Sequence, residues 1–182
     1  MRYVVIGASA AGISAASTLR DLDKNAEIIL VSKDENVYSR CILHHYISNH
    51  RDVEALNFTG KNFFEENNIT WIKGVEVKSL NDTEQTLELS NGETLSYDKI
   101  VVCSGASAFI PPVEGLREAN NVVGLRNLDD AILIKEQAAK VKNVVVLGAG
   151  LVGIDAVSGL VGQGLNISLV EMGNKILPLQ LD

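Results

Sequence analysis

The chain has 182 residues, 46% of them hydrophobic and 21% charged, which is enough apolar material for one large or two small folded domains. Its formal net charge of −7 excludes the basic surface that nucleic-acid binding requires, and it has no apolar run of about eighteen residues that would span a membrane. Two cysteines, Cys41 and Cys103, without a recognisable secretory signal predict a reducing compartment, so we expect a cytoplasmic protein.

The chain opens with a strand, a tight turn and a helix. A β-branched run from Tyr3 to Ile6 leads into the glycine-rich turn Gly7 to Gly12, and small, apolar residues then predict a helix over residues 10–22. A second apolar run, Ile28 to Val31, predicts the next strand. Strand, turn, helix and strand in this order form a βαβ unit of a parallel sheet.

The middle of the chain has a different pattern. Helical spacing of apolar residues from Val37 to His50, and again from Phe63 to Asn68, predicts two helices. From Thr70 to Tyr97 apolar residues alternate with polar ones, and turn sequences at Asn81-Asp82 and Asn91-Gly92 interrupt the alternation. We therefore expect a small antiparallel meander in this segment.

The following segment is expected to return to the first sheet and then to leave the first domain. Ile100 to Cys103 is entirely apolar, which predicts a buried strand. The pair Pro111-Pro112 indicates a domain boundary. The spacing beyond it predicts a helix over residues 128–141, with Asn127 or Asp129 at its start.

The last part of the chain repeats the opening pattern. Asn143 to Leu147 predicts a strand, Gly148 to Gly153 a glycine-rich turn, residues 151–162 a helix and Ile167 to Val170 another strand. The predicted fold class is α/β, with two Rossmann-like domains on parallel sheets and the antiparallel meander inserted in the first. Because only one βαβ unit of the second domain is present, we expect that domain to be incomplete and the chain to be a fragment.

The second glycine motif has the spacing of a dinucleotide-binding turn. In Gly148-x-Gly150-x-x-Gly153 the first glycine makes the turn, the second lets a pyrophosphate approach the backbone, and the third lets helix pack on strand. Glu171 ends the next strand, where a carboxylate accepts hydrogen bonds from an adenosine ribose and repels a 2′-phosphate. The motif therefore predicts binding of NADH in preference to NADPH.

The first glycine motif is less regular, because GASAAG has Ser9 in place of the second glycine. Serine is small enough to let a phosphate approach, and its hydroxyl could donate a hydrogen bond to it. The strand after the helix ends at Ser32 rather than at an acid, and Asp34 lies just beyond. Dinucleotide binding at this turn is therefore predicted mainly from its place in the βαβ unit.

Four landmarks resemble the pyridine nucleotide-disulfide oxidoreductase superfamily, particularly its NADH oxidases, coenzyme A disulfide reductases, NADH:rubredoxin reductases and nitrite reductase flavoproteins. They are GASAAG at residues 7–12, YDKIVVCSGA at 97–106, PPVEG at 111–115, and GAGLVG at 148–153 with Glu171 and the ILP sequence at 176–178. The resemblance covers the whole chain. It implies an FAD-binding domain over residues 1–115 and the first βαβ unit of an NAD(P)-binding domain over residues 116–182.

The resemblance also implies which residues meet the cofactors. For NADH they are Gly148, Gly150, Leu151, Val152, Gly153, Asp155 and Glu171. For FAD they are Gly7, Ala8, Ser9, Ala10, Ala11, Gly12, Ser32, Lys33, Arg40, Val77, Cys103, Ser104, Gly105 and Arg126. Arg126 is expected near the isoalloxazine, whereas Lys33 and Arg40 either neutralise phosphate or are ordinary surface residues. Cys103 is expected to be structural, at the end of a buried strand.

Two interpretations of Cys41 are open. The resemblance places Cys41 where coenzyme A disulfide reductases and NADH oxidases have a redox cysteine beside the flavin, and a helix beginning there would favour the thiolate. The alternative is a small buried cysteine that only packs. Either His44 or His45 could donate a proton to a leaving thiolate, but not both, since adjacent helical residues point in different directions. The spacing of these residues predicts no metal site.

These patterns predict an FAD-dependent oxidoreductase that takes hydride from NADH and passes electrons to a small-molecule or redox-protein acceptor, through Cys41 if its thiol is active. The resemblance implies that the complete protein can form a dimer. Two alternatives stay open. One is an electron-transfer flavoprotein subunit in which Cys41 is inert, and the other is a nucleotide-binding module without catalytic activity.

Overall fold

The computed structural model describes residues 1–177 and 180–181, so Pro178 of the ILP landmark lies outside the described residues. Packing divides the chain into two compact units. The first unit comprises Met1–Ser39 and Asn57–Ala106, and the second comprises Arg40–Leu56 and Ser107–Asp182.

Both units combine short strands with helices, as the predicted α/β class requires. The strands are β1 (Arg2–Ile6), β2 (Glu27–Ser32), β3 (Ile69–Lys73), β4 (Val77–Asn81), β5 (Thr86–Leu89), β6 (Thr94–Ser96), β7 (Lys99–Val102), β8 (Asn143–Leu147) and β9 (Asn166–Val170). The helices are α1 (Ala10–Leu22), α2 (Leu43–Ile47), α3 (Phe63–Glu66), α4 (Leu128–Ala138) and α5 (Leu151–Leu160).

The first unit is built on a four-stranded parallel sheet with the order β3-β2-β1-β7. Val4 of β1 pairs with Ile29 of β2 and with Ile100 of β7. On one face of the sheet, Ile13 of α1 packs in a cluster with Leu30 of β2. On the other face, Leu87 of β5 packs in a cluster with Val4 and Ile29. The two central strands are continuous apolar runs because both of their faces are covered.

Arg20, near the end of α1, is buried, with 7% of its surface exposed. Its guanidinium donates hydrogen bonds to the carbonyl oxygens of Asn67 and Asn68, both at 2.8 Å, and to those of Asp23 at 3.2 Å and Lys24 at 3.0 Å. These carbonyls follow the last turns of α1 and α3, where a helix leaves its carbonyl groups without partners. Arg20 therefore ties the end of α1 to the segment that leads into β3.

The antiparallel meander is present but shorter than predicted. It consists of β4, β5 and β6, with Leu87 opposite Leu80 and Leu95. β3 was expected to belong to it but pairs in parallel with β2, in a register that starts at Ile28 and Ile69. Alternation of apolar residues indicates a strand without indicating its partner, and the free edge of β2 supplies that partner.

β7 returns to the first sheet beside β1, as predicted, but the prediction that it is buried is wrong. It forms the edge of the sheet, and Val102 is 62% exposed. Cys103, directly after it, is only partly buried. An edge strand has a neighbour on one side only, so an apolar sequence does not ensure that it is covered.

The second unit contains β8 and β9, which pair in parallel with Val144 opposite Ile167. α4 precedes them and begins at a capping box. The Asn127 side chain accepts a hydrogen bond from the Asp130 backbone N–H at 2.9 Å, and Asp130 Oδ2 accepts one from the Asn127 N–H at 3.0 Å. Of the two predicted starts of this helix, the structure therefore has Asn127.

The helix predicted over residues 37–50 is much shorter in the structure. A 3₁₀ turn, Arg40–Ile42, is followed by α2, and the second unit packs α2 against α4 and α5. Gly159 of α5 permits this close approach, since a Cβ there would lie 3.0 Å from the His44 carbonyl oxygen. Among the described residues, no helix combines the length and apolar composition that crossing a membrane requires.

Candidate functional site

The first glycine turn follows β1. Gly7 has a φ of +108°, and its N–H donates to the Val31 carbonyl at 2.8 Å, so the turn is joined to the end of β2. A Cβ at Gly7 would overlap the Cys103 carbonyl, and a Cβ at Gly12 would overlap the Gly7 carbonyl. Both positions therefore require glycine, one for backbone conformation and one for packing of helix on strand.

The start of α1 faces this turn without a side-chain cap. Ser9 is the N-cap residue, and within the described residues its hydroxyl makes no cap hydrogen bond. The backbone N–H groups of Ala10 and Ala11 occupy the first turn of a thirteen-residue helix, whose positive dipole end attracts anions. Ala8, within the turn, is buried. These features fit a pyrophosphate bound by the backbone N–H groups. The sequence analysis predicted FAD binding at this turn.

Ser32, at the expected adenosine end, is buried and its hydroxyl is engaged within the protein. Its Oγ donates to the Asp34 carbonyl at 2.7 Å and accepts from Trp71 Nε1 at 3.2 Å. Lys33 is exposed. The Ser32 side chain thus holds the end of β2 against β3, and it offers no carboxylate to a ribose.

The remaining predicted FAD residues fall into two groups. In the first unit, Cys103 donates its backbone N–H to the Ile6 carbonyl at 2.8 Å, which brings Ser104 beside Gly7, and Gly105 follows in the chain. Val77 begins β4, and it packs with the cluster on the meander face of the sheet. The second group, Arg40 and Arg126, lies in the second unit, where Arg40 Nη1 donates to the Arg126 carbonyl at 3.2 Å.

The second glycine turn has the same construction as the first. Gly148 has a φ of +97°, and its N–H donates to the Val170 carbonyl at 2.8 Å. A Cβ at Gly153 would overlap the Gly148 carbonyl, whereas a Cβ at Gly150 would have no described atom within 4 Å. The space in front of Gly150 is therefore open, as a cradle for phosphates requires. Leu151 and Val152, in the first turn of α5, are also exposed.

Glu171 reaches back to this turn from the end of β9. Its Oε2 accepts a hydrogen bond from the Ala149 N–H at 2.7 Å, and its Oε1 accepts one from the Gly173 N–H at 2.8 Å. These backbone hydrogen bonds, that of Ala149 first, lower the pKa of the Glu171 carboxyl below its usual range. The Glu171 carboxylate is thus held beside the glycine turn. It retains lone pairs that can accept hydrogen bonds from ribose hydroxyls.

Cys41 is exposed and lies in the 3₁₀ turn before α2, which does not fit the alternative of a buried packing cysteine. Three residues further along the chain, His44 Nδ1 lies 3.6 Å from Asp155 Oδ1 of α5. A cavity of about 40 Å³ adjoins the pair, and its lining includes Arg40 and Arg126. The sequence analysis assigned Asp155 to NADH binding. The structure places its side chain beside His44.

This pairing of His44 with Asp155 was not predicted from the sequence. The two residues are far apart in the chain, and only the docking of α2 on α5 brings them together. His45 lies beside this pair, with its ring centroid 4.3 Å from that of His44. Desolvation by burial, followed by the charges of His44, Arg51 and His50, lowers the pKa of His45. In the part of the chain that the structure describes, no group of His, Cys, Asp and Glu is arranged to hold a metal ion.

With this geometry established, comparison with known proteins identifies the family. The chain matches the family described as pyridine nucleotide-disulphide oxidoreductase over residues 1–182, and it belongs to this family. The epsilon subunit of the NADH-dependent phenylglyoxylate dehydrogenase of Aromatoleum evansii is 33% identical over 176 residues, which are 96% of this chain and 42% of that protein. Coenzyme A disulfide reductase of Staphylococcus aureus is 34% identical over 185 residues, 96% of this chain and 41% of that protein.

Solved structures give the same result. The NAD-dependent persulfide reductase from A. fulgidus superposes with a TM-score of 0.90 and 29% identity, covering 100% of this chain and 36% of that one. The covalent putidaredoxin reductase–putidaredoxin complex superposes with a TM-score of 0.84 and 26% identity, covering 98% of this chain and 44% of that one. The predicted family and α/β fold class are confirmed, and the predicted cofactors, FAD and NADH, agree with them. The chain spans about two fifths of the length of the curated relatives it matches.

Proposed function

We propose that this chain forms the FAD-binding and NADH-binding parts of a flavin-dependent oxidoreductase, which takes hydride from NADH and passes electrons to an acceptor. The observation that carries the proposal is the repetition of one glycine turn. In each unit the first glycine has a positive φ and donates to the end of the next strand, and the last glycine packs directly on the first. Two such turns in one chain support two dinucleotide sites.

The Glu171 carboxylate supports the assignment of a different dinucleotide to each unit. The second turn has Glu171 beside it, which suits the unmodified ribose of NADH. The first turn has the engaged hydroxyl of Ser32 in the corresponding place, and we assign FAD to it and to residues 1–115. We assign residues 116–182 to NADH, with Leu151, Val152 and Asp155 on the helix that follows the turn.

The residues of this chain would bind and orient the cofactors. Bound FAD supplies the hydride and electron chemistry. The backbone at Ser9, Ala10 and Ala11 would hold one pyrophosphate, and the backbone at Gly150 and Leu151 the other, each against a helix N-terminus. Both cysteines are free thiols, which supports our placement of this activity in the cytoplasm.

We further propose that the acceptor is a small disulfide attacked by Cys41. The exposure of Cys41 supports this choice, because a nucleophilic thiol must be accessible to its substrate. The similarity to coenzyme A disulfide reductase and to the persulfide reductase supports it as well. A second candidate, direct transfer to a redox protein, is favoured by the likeness to the reductase in the putidaredoxin complex.

The experiment begins with the purified protein. A yellow protein that oxidises NADH with a dye supports the flavoprotein proposal, whereas a colourless protein that still binds NADH supports a nucleotide-binding module. Coenzyme A disulfide and oxidised rubredoxin are then compared as electron acceptors. The rate of reduction of each is measured with the parent protein and with Cys41→Ser. Loss of disulfide reduction in Cys41→Ser supports the thiol route. Unchanged disulfide reduction, or reduction of rubredoxin alone, contradicts it.

A further inference from the structure

We infer that the Ser9 hydroxyl donates a hydrogen bond to the pyrophosphate of bound FAD and thereby retains FAD on the first turn. The second turn has Gly150 in the equivalent position, so the pyrophosphate of NADH is held by the backbone alone and is released more readily. This inference rests on the proposed function and adds to it the side chain that makes one cofactor tightly bound and the other exchangeable. From the sequence, serine could either only fit this position or also donate to the phosphate.

Ser9 and Gly150 occupy the same place in their turns. Each is the N-cap residue of the helix that follows, with φ and ψ of −92° and −176° at Ser9 and of −77° and −176° at Gly150. Each carbonyl accepts the first hydrogen bond of its helix, from the N–H of Ile13 or of Ile154, both at 3.0 Å. The backbones of the two turns therefore match at this position, and the side chain distinguishes them.

The conformation of the turn does not require glycine at this position. A φ of −77° is open to any residue, and a Cβ at Gly150 would have no described atom within 4 Å. Gly7 and Gly12 differ in this respect, because a Cβ at either would overlap backbone atoms. The choice between serine and glycine is therefore not determined by the packing of the turn itself. We attribute it to the ligand in front of the turn.

The Ser9 hydroxyl is not used to cap its own helix. An N-cap serine normally accepts a hydrogen bond from the N–H of the second or third helical residue, which here are Ala11 and Gly12. Within residues 1–177 and 180–181, Ser9 makes no such bond, and it is partly exposed. The Ser9 side chain therefore leaves these N–H groups to a ligand, and its own hydroxyl has a proton to donate to an anion at the helix N-terminus.

Ser9 has the only donor side chain in this turn. Residues 7–12 are GASAAG, so every other side chain there is a methyl group or a hydrogen, and no acidic residue occupies the first turn of α1. A phosphate at this turn would therefore meet backbone N–H groups, the helix dipole and one hydroxyl. Because hydrogen bonds to charged groups are stronger than those between neutral groups, the hydroxyl would contribute a substantial part of the binding.

The second turn is less favourable to an anion. Residues 148–153 are GAGLVG, which have no donor side chain. The Ala149 N–H is already bonded to Glu171 Oε2 at 2.7 Å, and the lowered pKa of Glu171 keeps a negative charge beside the turn at neutral pH. Repulsion from this charge weakens phosphate binding there. The difference suits the two cofactors, because FAD must stay bound through turnover whereas the nicotinamide nucleotide must leave after each hydride transfer.

The test measures how fast FAD leaves the full chain. Protein purified with FAD is diluted into buffer, and release is followed by the rise in flavin fluorescence. Ser9→Ala removes the hydroxyl, Ser9→Gly gives the first turn the residue of the second, and Ser9→Thr keeps a hydroxyl. Ser14→Ala, on the exposed side of α1, is the matched control. NADH affinity is measured by fluorescence titration, and circular dichroism shows whether each variant is folded.

We expect FAD to leave Ser9→Ala and Ser9→Gly at least ~10-fold faster than the parent, the scale of one hydrogen bond to a charged group. Ser9→Thr and Ser14→Ala should keep the parent rate, and NADH affinity should be the same in the parent and in every variant.

Release from a folded Ser9→Gly at the parent rate or more slowly would show that serine only fits the turn, and it overturns this inference alone. A parallel loss of NADH affinity in Ser9→Ala would assign the effect to folding, and it also overturns the inference. A parent protein that binds no FAD, even when FAD is added, contradicts the proposed function and this inference with it.

Discussion

The carboxylate of Glu171 accepts a 2.7 Å hydrogen bond from the backbone N–H of Ala149, in the middle of the second glycine turn. The contact joins the end of β9 to the turn that begins α5, so the residue proposed to read the ribose also stabilises the loop proposed to hold the phosphates. At the first turn the corresponding residue is Ser32, whose hydroxyl donates to the Asp34 carbonyl and accepts from Trp71 Nε1. The two turns share a backbone and differ in this side chain.

The position of Glu171 predicts the nucleotide preference. We expect NADH to bind at least ~10-fold more tightly than NADPH, since a 2′-phosphate would replace a charged hydrogen bond with repulsion between like charges. Glu171→Arg is expected to reverse the direction of this preference. Glu136→Arg, the same charge change on the exposed side of α4, is the control and retains it. Fluorescence titration with both nucleotides makes the measurement, and equal affinities in the parent would contradict the assignment.

The same hydrogen bonds predict how the loop responds to pH. Because they lower the pKa of Glu171, the folded loop favours the carboxylate, and their stabilisation is present above the ordinary carboxyl pKa of about 4.3. It is lost as the pH falls through the lowered value. NMR titration of the Glu171 side-chain carboxyl should show a midpoint below the ordinary carboxyl value. A midpoint at the ordinary value would show that the bonds to Ala149 and Gly173 do not persist in solution.

Gly12 tests the first site. Valine there would push its Cβ into the Gly7 carbonyl and move α1 away from β1, so we expect Gly12→Val to lose flavin absorbance. Gly60→Val is the matched control, because a Cβ at Gly60 has no described atom within 4 Å. Circular dichroism of both variants separates loss of FAD from loss of fold. Stoichiometric FAD in a folded Gly12→Val protein would show that this turn does not hold the cofactor.

Arg20 is predicted to be important for stability rather than for chemistry. Arg20→Met removes the donor for four backbone carbonyls and is expected to lower the free energy of unfolding by about 2–4 kcal/mol. Lys24→Met is the control. The Lys24–Asp21 ion pair is exposed, with side chains 69% and 74% accessible, so its loss is expected to cost less than about 1 kcal/mol. Urea unfolding measures both, and equal midpoints would refute the role of Arg20.

Gly159 determines how closely α2 and α5 pack. Alanine inside a helix normally raises the free energy of unfolding by about 0.5–1 kcal/mol relative to glycine. Here its Cβ would lie 3.0 Å from the His44 carbonyl and 3.1 Å from the Ile47 Cβ, so we expect Gly159→Ala to destabilise the protein by about 1 kcal/mol. Ser158→Ala, on the exposed side of α5, should be neutral or slightly stabilising. Thermal unfolding distinguishes the two, and a raised Tm in Gly159→Ala would contradict this packing.

Local interactions explain what could be predicted from the sequence. The bounds of α1, residues 10–22, agree with the prediction, because the turn before it and the small residues within it act over a few positions. Asn127 was a predicted helix start for the same reason, since its capping partner lies three residues away. The glycine turns could also be recognised, because a required φ or a missing Cβ leaves a direct mark on the residue type.

Contacts between distant residues decided the rest. Apolar alternation identified β3 as a strand, but only the free edge of β2 determined that it joins the parallel sheet. The sequence of β7 is that of a buried strand, and its place at the sheet edge leaves Val102 exposed. The approach of His44 to Asp155 requires α2 to dock on α5. Strand partners, burial and such pairs depend on free energies summed over the folded chain, which no short window of sequence contains.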